Sequence, residues 1–224
     1  MAEGGQQNIV ALRAEDRFRV IGSEGLPLVE WSDEALMLAH GKGSEAAFEL
    51  LVSRHQKPIL NYLFRMLRNR QVAEELSQEV FLALVRNAQR YQPTAKFTTY
   101  LYTIASNMVS KEWAKQRRRP KCFSLSAWWS QNKEDDFDPL EHFGDPKADT
   151  VQHFQRGEIS DAVNEALRLL PAHQQEAFVL LRFQELAYHE IAEIVGAPVG
   201  TVKSRVVRAE RALRPHLERF REYL

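Results

Sequence analysis

Apolar residues along this chain return every three or four positions and nowhere settle into strand-like alternation, which is the period of helices with one buried face. Ser32, followed by Asp33 and Glu34, has the form of an N-cap with an acidic first turn. Beyond it, Phe48, Leu51, Leu63, Met66 and Leu67 keep helical spacing. Pro58 is expected to kink or interrupt that helix, because its ring removes a backbone donor. Val72, Leu76, Val80, Phe81 and Leu84 mark a further helix, closed by Tyr91-Gln92-Pro93. Another spans about Phe97 to Arg119, with Leu101, Ile104, Ala105, Met108 and Val109 inward. The rhythm then lapses over 120–158, where Pro120, Pro139 and Pro146 accompany the run Glu134-Asp135-Asp136, a linker composition. It returns over Ile159–Leu170, stops at Pro171, resumes from about Ala172 to Gln184, and ends in two more helices. The expected fold is all-α, two helical domains joined by a flexible linker: an extension at 1–31, a domain at 32–119, the linker at 120–158 and a domain at 159–224.

The last two helices form a recognisable pair. Tyr188 to Val195 places Ile191, Ala192 and Val195 on one face, Gly196 stops that helix, and Ala197-Pro198 starts the next, which is the layout of a helix-turn-helix. In the second helix Val199, Val202, Val206, Ala209 and Leu213 make one narrow apolar stripe. Opposite it, at about 100° per residue, lie Gly200, Lys203, Ser204, Val207, Arg208 and Arg211. Lys and Arg can donate to guanine acceptors and Val can meet a thymine methyl, so this face carries the inventory for major-groove readout. Arg205 lies to the side, where a phosphate is the better target. A solvated basic face on a helical bundle is the plainer alternative.

Charge sharpens this picture. Thirty Lys and Arg balance 30 Asp and Glu overall. Residues 32–119 nevertheless hold 14 basic against 8 acidic side chains, and 120–158 hold 4 against 8. A basic block beside an acidic spacer points to a polyanionic partner for the block. The single cysteine, Cys122, excludes an internal disulfide and suits a reducing cytoplasm; beside Arg117–Lys121 it is either an inert thiol or a redox sensor. The longest apolar run, Val80–Val85, is far short of the ~20 residues that cross a bilayer, and Met1–Arg13 has no basic-then-apolar leader, so neither membrane insertion nor secretion is expected. His189-Glu190 with Glu193 echoes a zinc-protease helix but lacks its second histidine. No metal, no cofactor and no catalytic constellation is expected, and the chain reads as a non-enzyme.

Two further segments suggest contacts. Glu74, Glu75, Gln78 and Glu79 crowd one side of their helix, which on its own is most simply a solvated face. Phe97, Tyr100 and Tyr102, with Thr98 and Thr99 between, precede the basic stretch Lys111–Arg119. Aromatics beside cations suit single-stranded DNA, where each base gains ~1–3 kcal/mol on an aromatic platform. Burial is the other use of such rings, and Tyr102 is open to either.

Tyr188-His189-Glu190-Ile191-Ala192 and Gly200-Thr201-Val202-Lys203-Ser204-Arg205 closely resemble the C-terminal promoter-reading domain of RNA polymerase sigma factors, nearest the extracytoplasmic-function (ECF) group. Ala47-Phe48 with Leu51, Glu75 with Gln78-Glu79-Val80-Phe81, and Phe97–Asn107 are similar to that group's N-terminal domain. The resemblance covers about 33–119 and 160–217, in the family's order. It implies that Glu75, Gln78, Glu79 and Phe81 dock on the clamp helices of the polymerase's largest subunit. It implies also that Phe97, Thr98, Thr99, Tyr100, Asn107, Lys111, Arg117 and Arg118 open and hold the −10 element, and that Gly200, Thr201, Lys203, Ser204, Arg205, Val207, Arg208 and Arg211 read the −35 element as duplex. The partners implied are core RNA polymerase, promoter DNA and an anti-sigma factor. A stand-alone regulator binding duplex DNA without polymerase would leave the Gln78–Phe81 match unexplained. The chain departs from the pattern at Tyr100, where Trp is common, and at Glu185 and Ala187, which stand for a usual Gly and a usual capping Ser. Losing that cap should cost ~1 kcal/mol. The linker's Trp128-Trp129 either packs on its own domains or an inhibitor, or inserts into a polymerase channel.

Overall fold

The computed structural model describes residues 27–118 and 162–218. The expectations for the extension up to residue 26, for Cys122, for Trp128 and Trp129 and for the acidic linker fall outside the described residues. Among those described, every element is an α-helix or a short 3-10 turn: α1 (Asp33–Gly41), α2 (Glu45–Leu67), α3 (Arg70–Asn87), α4 (Phe97–Arg118), a helical stretch at 162–167, α5 (Ala172–Arg182), α6 (Tyr188–Ile194) and α7 (Val199–Leu217). Pro58 neither ends nor divides α2, which continues through it from Glu45 to Leu67. One missing donor in 23 residues is outweighed by the burial of Leu51, Ile59, Tyr62 and Leu63 along the same helix. Two compact units result, one from the segments up to His55 and Val85–Phe97, the other from Gln56–Leu84 and Thr98 onward.

In the first unit Ser32 caps α1 as its sequence predicts, its Oγ accepting from the Ala35 N–H at 3.2 Å. Leu36 and Met37 of α1 are fully buried. Gly41 lies so close to the 3-10 turn Ala88–Arg90 that a Cβ there would stand 2.7 Å from the Ala88 carbonyl oxygen. Glu34 reaches across 63 positions to accept the Phe97 N–H at 2.7 Å, satisfying an orphan donor at the start of α4. Arg54 binds the carbonyls of Val29 and Trp31, at 2.6 and 2.9 Å, and Asp33 at 2.6 Å. His55 Nε2 meets the other Asp33 oxygen at 2.7 Å.

Burial opposes the charge on Asp33, yet the hydrogen bonds and charges of His55 and Arg54 outweigh it and hold the carboxyl below its ordinary value of 3.8. A lowered folded-state value gives stabilisation that is complete above 3.8 and lost as pH falls through the lowered value. Wild-type protein should therefore lose more thermal stability than Asp33→Asn between neutral pH and about pH 3. Parallel melting curves for the two over that range would contradict this account.

The second unit is held by Tyr62, Leu63, Leu84, Leu101, Ala105 and Val109 on α2 to α4, and by Leu167, Leu180, Ile191, Val202 and Val206 on the later helices. In α4 Leu101, Ala105 and Val109 are buried as expected, whereas Ile104 and Met108 are half-exposed at the margin of that face. Helix α7 packs on α5 and α6. Arg182 of α5 grips Glu210 of α7 through Nε and Nη2, at 3.2 and 2.5 Å.

Candidate nucleic-acid interface

Helix α6 ends as its glycine predicts. Gly196 takes φ 59°, Ala197 N–H reaches the Ala192 carbonyl at 3.1 Å and Gly196 N–H the Glu193 carbonyl at 3.4 Å, together a Schellman closure. Three residues later α7 begins, its first turn anchored by Thr201 and Val202 N–H on the Pro198 carbonyl at 2.8 and 3.1 Å. Val202, Val206, Ala209 and Leu213 are buried as one stripe. Val199 is not part of it: as the opening residue of the helix it is 38% exposed. On the opposite side Gly200, Lys203, Val207, Arg208 and Arg211 are exposed, with Thr201, Ser204 and Arg205 partly so. Val207 is 59% exposed, an apolar side chain held in water among cations. Lys203 lies 5.7 Å above the Tyr188 ring, which steadies its ammonium by cation-π attraction. The Ser204 hydroxyl donates back to the Thr201 carbonyl at 2.8 Å, leaving its oxygen as an acceptor.

The missing cap at Ala187 is replaced in part. Its methyl accepts nothing, but Glu190 Oε2 accepts the Ala187 N–H at 2.7 Å, the reciprocal half of a capping box. Glu185 shows why glycine suits its position: it sits at φ 54°, left-handed backbone that costs a residue with a Cβ ~1–2 kcal/mol. Glu185→Gly combined with Ala187→Ser should raise stability by about 1–2 kcal/mol after the entropy cost of glycine, read as a higher urea midpoint at unchanged m. An unchanged midpoint would refute the strain.

Helix α4 divides the expected single-strand contacts. Tyr100, Asn107, Lys111 and Arg118 fall within about 20° of one line along the helix at 100° per residue. Asn107, Lys111 and Arg118 are exposed and Tyr100 half-exposed. Burial pushes the Tyr100 hydroxyl above its ordinary range. Arg117 is exposed and Thr98 half-exposed. Phe97 and Thr99 are corrections. Phe97 is fully buried, its ring 5.3 Å from His55 and 6.3 Å from Tyr91, so it serves the core rather than a base. Thr99 is 4% exposed, its carbonyl accepting from the Thr103 hydroxyl at 2.7 Å. Tyr102 is also buried, its hydroxyl bonded to Gln184.

On α3 the row Glu75, Gln78 and Glu79 is exposed, as a docking face requires. Phe81 is a third correction: at 8% exposure it faces the core, and Leu82, 46% exposed, takes its place on the outer side. Helical spacing carries that signal, since Leu82 follows Gln78 by four and Glu79 by three. Among the described residues no group of His, Cys, Asp and Glu could hold a metal ion, and no helix is long and apolar enough to cross a membrane.

Comparison with known proteins adds an independent line. Residues 51–119 match Sigma-70 region 2 and residues 160–213 match Sigma-70, region 4. The chain is 31% identical over 186 residues to the RNA polymerase sigma-H factor of Pseudomonas aeruginosa, covering 83% of this chain and 94% of the relative. It is 31% identical over 183 residues to the ECF RNA polymerase sigma-E factor of Haemophilus influenzae, covering 81% and 93%. The fold is shared with the sigma factor RpoE of Bartonella quintana, solved in complex with the anti-sigma factor NepR, at TM-score 0.57 and 21% identity over 76% of this chain and 96% of that one. A chain whose described elements are all helical, with these matches, is a promoter-specific transcription factor that works with RNA polymerase. It belongs to the sigma-70 family of sigma factors, in the ECF group, a family of non-enzymatic transcription factors.

Proposed function

We propose that residues 32–119 dock on core polymerase and melt the −10 element, that residues 159–224 read the −35 element as duplex, and that the acidic linker between them sets their separation. The observation that carries this reading is α7: its apolar stripe is buried while Lys203, Val207, Arg208 and Arg211 stand exposed on the far side. A helix presenting donors and a methyl-reading side chain from a packed base is what a major groove accepts. Glu75, Gln78, Glu79 and Leu82 of α3 form the face for the clamp helices of the largest subunit. Tyr100, Asn107, Lys111, Arg117 and Arg118 hold the separated strand, the tyrosine stacking and the cations following phosphate. Strand opening has no covalent step; unpaired bases and phosphates are held better than closed duplex. The chain acts in the cytoplasm and is a target for an anti-sigma factor, as the complexed RpoE is for NepR.

Transcription reconstituted with core polymerase on genomic fragments tests this directly. Defined start sites should appear only with both proteins present, and promoter affinity should fall about 10³-fold or more from 50 to 200 mM salt, since each phosphate contact releases counterions. Duplex binding that is equally tight without core enzyme, or flat in salt, would refute it.

A further inference from the structure

Lys203, Arg208 and Arg211 stand exposed together on the outward face of α7, and among the described residues Lys203 is the one of these that meets an aromatic ring. Its Nζ lies 5.7 Å from the ring centroid of Tyr188, which opens α6. Both ends of this contact stand on fixed mounts. The first turn of α6 is closed by the Ala187 N–H on Glu190 Oε2 at 2.7 Å and by the Ile191 N–H on the Ala187 carbonyl at 3.0 Å, and the Ile191 side chain is fully buried. On α7 the residue before Lys203, Val202, is also fully buried, its N–H bonded to the Pro198 carbonyl at 3.1 Å. The flexible part of the arrangement is the lysine's four-carbon stem.

A lysine on a free stem carries three donors that swing over many acceptors, so it supplies charge without selecting a base edge. Held over a ring face, the ammonium is confined to one side of α7, and the donors turned away from the ring remain for an acceptor. Guanine O6 and N7 offer adjacent acceptors in the major groove. Groove entry removes water from the contact and strengthens the attraction of cation to ring, so the hold tightens as reading begins. Part of the ordering that binding would otherwise demand of this side chain is then met in the free protein.

We infer that Tyr188 is a positioning residue for promoter reading: its ring sets the aim of Lys203 and thereby decides which base pair of the −35 element that lysine selects. This rests on the proposed reading of the −35 element by α7. Tyr188 acts through Lys203 and needs no contact with a base of its own.

The test uses the full chain bound to core polymerase and promoter duplexes recovered by reconstituted transcription, with each −35 base pair substituted in turn. Lys203→Ala identifies the pair that Lys203 selects, as the one whose preference disappears. At that pair Tyr188→Leu should lose about tenfold of the wild-type preference, while preferences at the other pairs stay within about threefold. Tyr188→Phe keeps the ring face and should keep the preference, which separates positioning from any contact made by the hydroxyl. Adding Tyr188→Leu to Lys203→Ala should cost nothing further at that pair, the non-additivity of two groups that act as one. Tyr188→Met also removes the ring, so where melting curves show that Leu unfolds the chain, Met decides. A folded Leu or Met variant with full preference at the Lys203 pair overturns the inference. An equal loss at every pair does the same, since it marks a structural role, and so does a Phe variant that falls as far as Leu. If Lys203→Ala changes no preference, the reading by α7 fails and the inference with it; a loss with Lys203→Ala but none with Tyr188→Leu sinks the positioning alone.

Discussion

Replacing Lys203 and Arg208 together with alanine is expected to lower affinity of the polymerase-bound chain for its duplex −35 element by two to three orders of magnitude. Each well-placed contact to a base edge is worth ~1–3 kcal/mol, and two on one helix compound. Both side chains are exposed on the face opposite Val202, Val206, Ala209 and Leu213, so their removal leaves the packing of α7 intact. Melting temperature and core affinity should not change. Arg205→Ala should behave differently, weakening all sequences alike, because a phosphate contact carries no base information. Footprints of the double variant within threefold of wild type would remove α7 as the reader.

The second large effect separates two neighbours in sequence. Leu82→Asp, on the exposed side of α3, should reduce core polymerase binding by about 30-fold or more, the scale of an interface hot spot. Stability should move by no more than ~0.5 kcal/mol, as for other surface changes. Phe81→Ala should instead cost ~3–5 kcal/mol of stability, because it empties a position only 8% exposed. Titration of fluorescent variants with core enzyme and urea denaturation of the free chains read the two quantities separately. Normal core binding by folded Leu82→Asp would rule out this face of α3.

Much of this was legible because helices write their buried face into the sequence. Spacing alone places Val202, Val206, Ala209 and Leu213, and the local chemistry of helix ends places Gly196 and Ser32. Spacing does not decide where one residue type serves two ends. Phe97 and Phe81 belong to motifs shared with sigma factors, but aromatic rings at helical spacing are as useful to a core as to a ligand, and only the packing decides. Pro58 shows the same limit from the other side, a local penalty overridden by tertiary burial. Least legible were the contacts across long sequence separations. Nothing near Glu34 indicates that it caps α4, and nothing near Glu176 indicates burial between Tyr62 and Ser106, since each depends on partners 63 to 114 positions away.

The reciprocal half-cap by Glu190 supports the start of α6, and α7 meets α5 and α6 through its buried stripe, while on its outward side Lys203 rests on Tyr188. Structural duty thus falls on one side of the rod, and the sequence preference proposed for it on the other. On the proposed reading, natural drift, or a designer, can rewrite positions 200, 207, 208 and 211 to suit another promoter element while the scaffold underneath stays as it is.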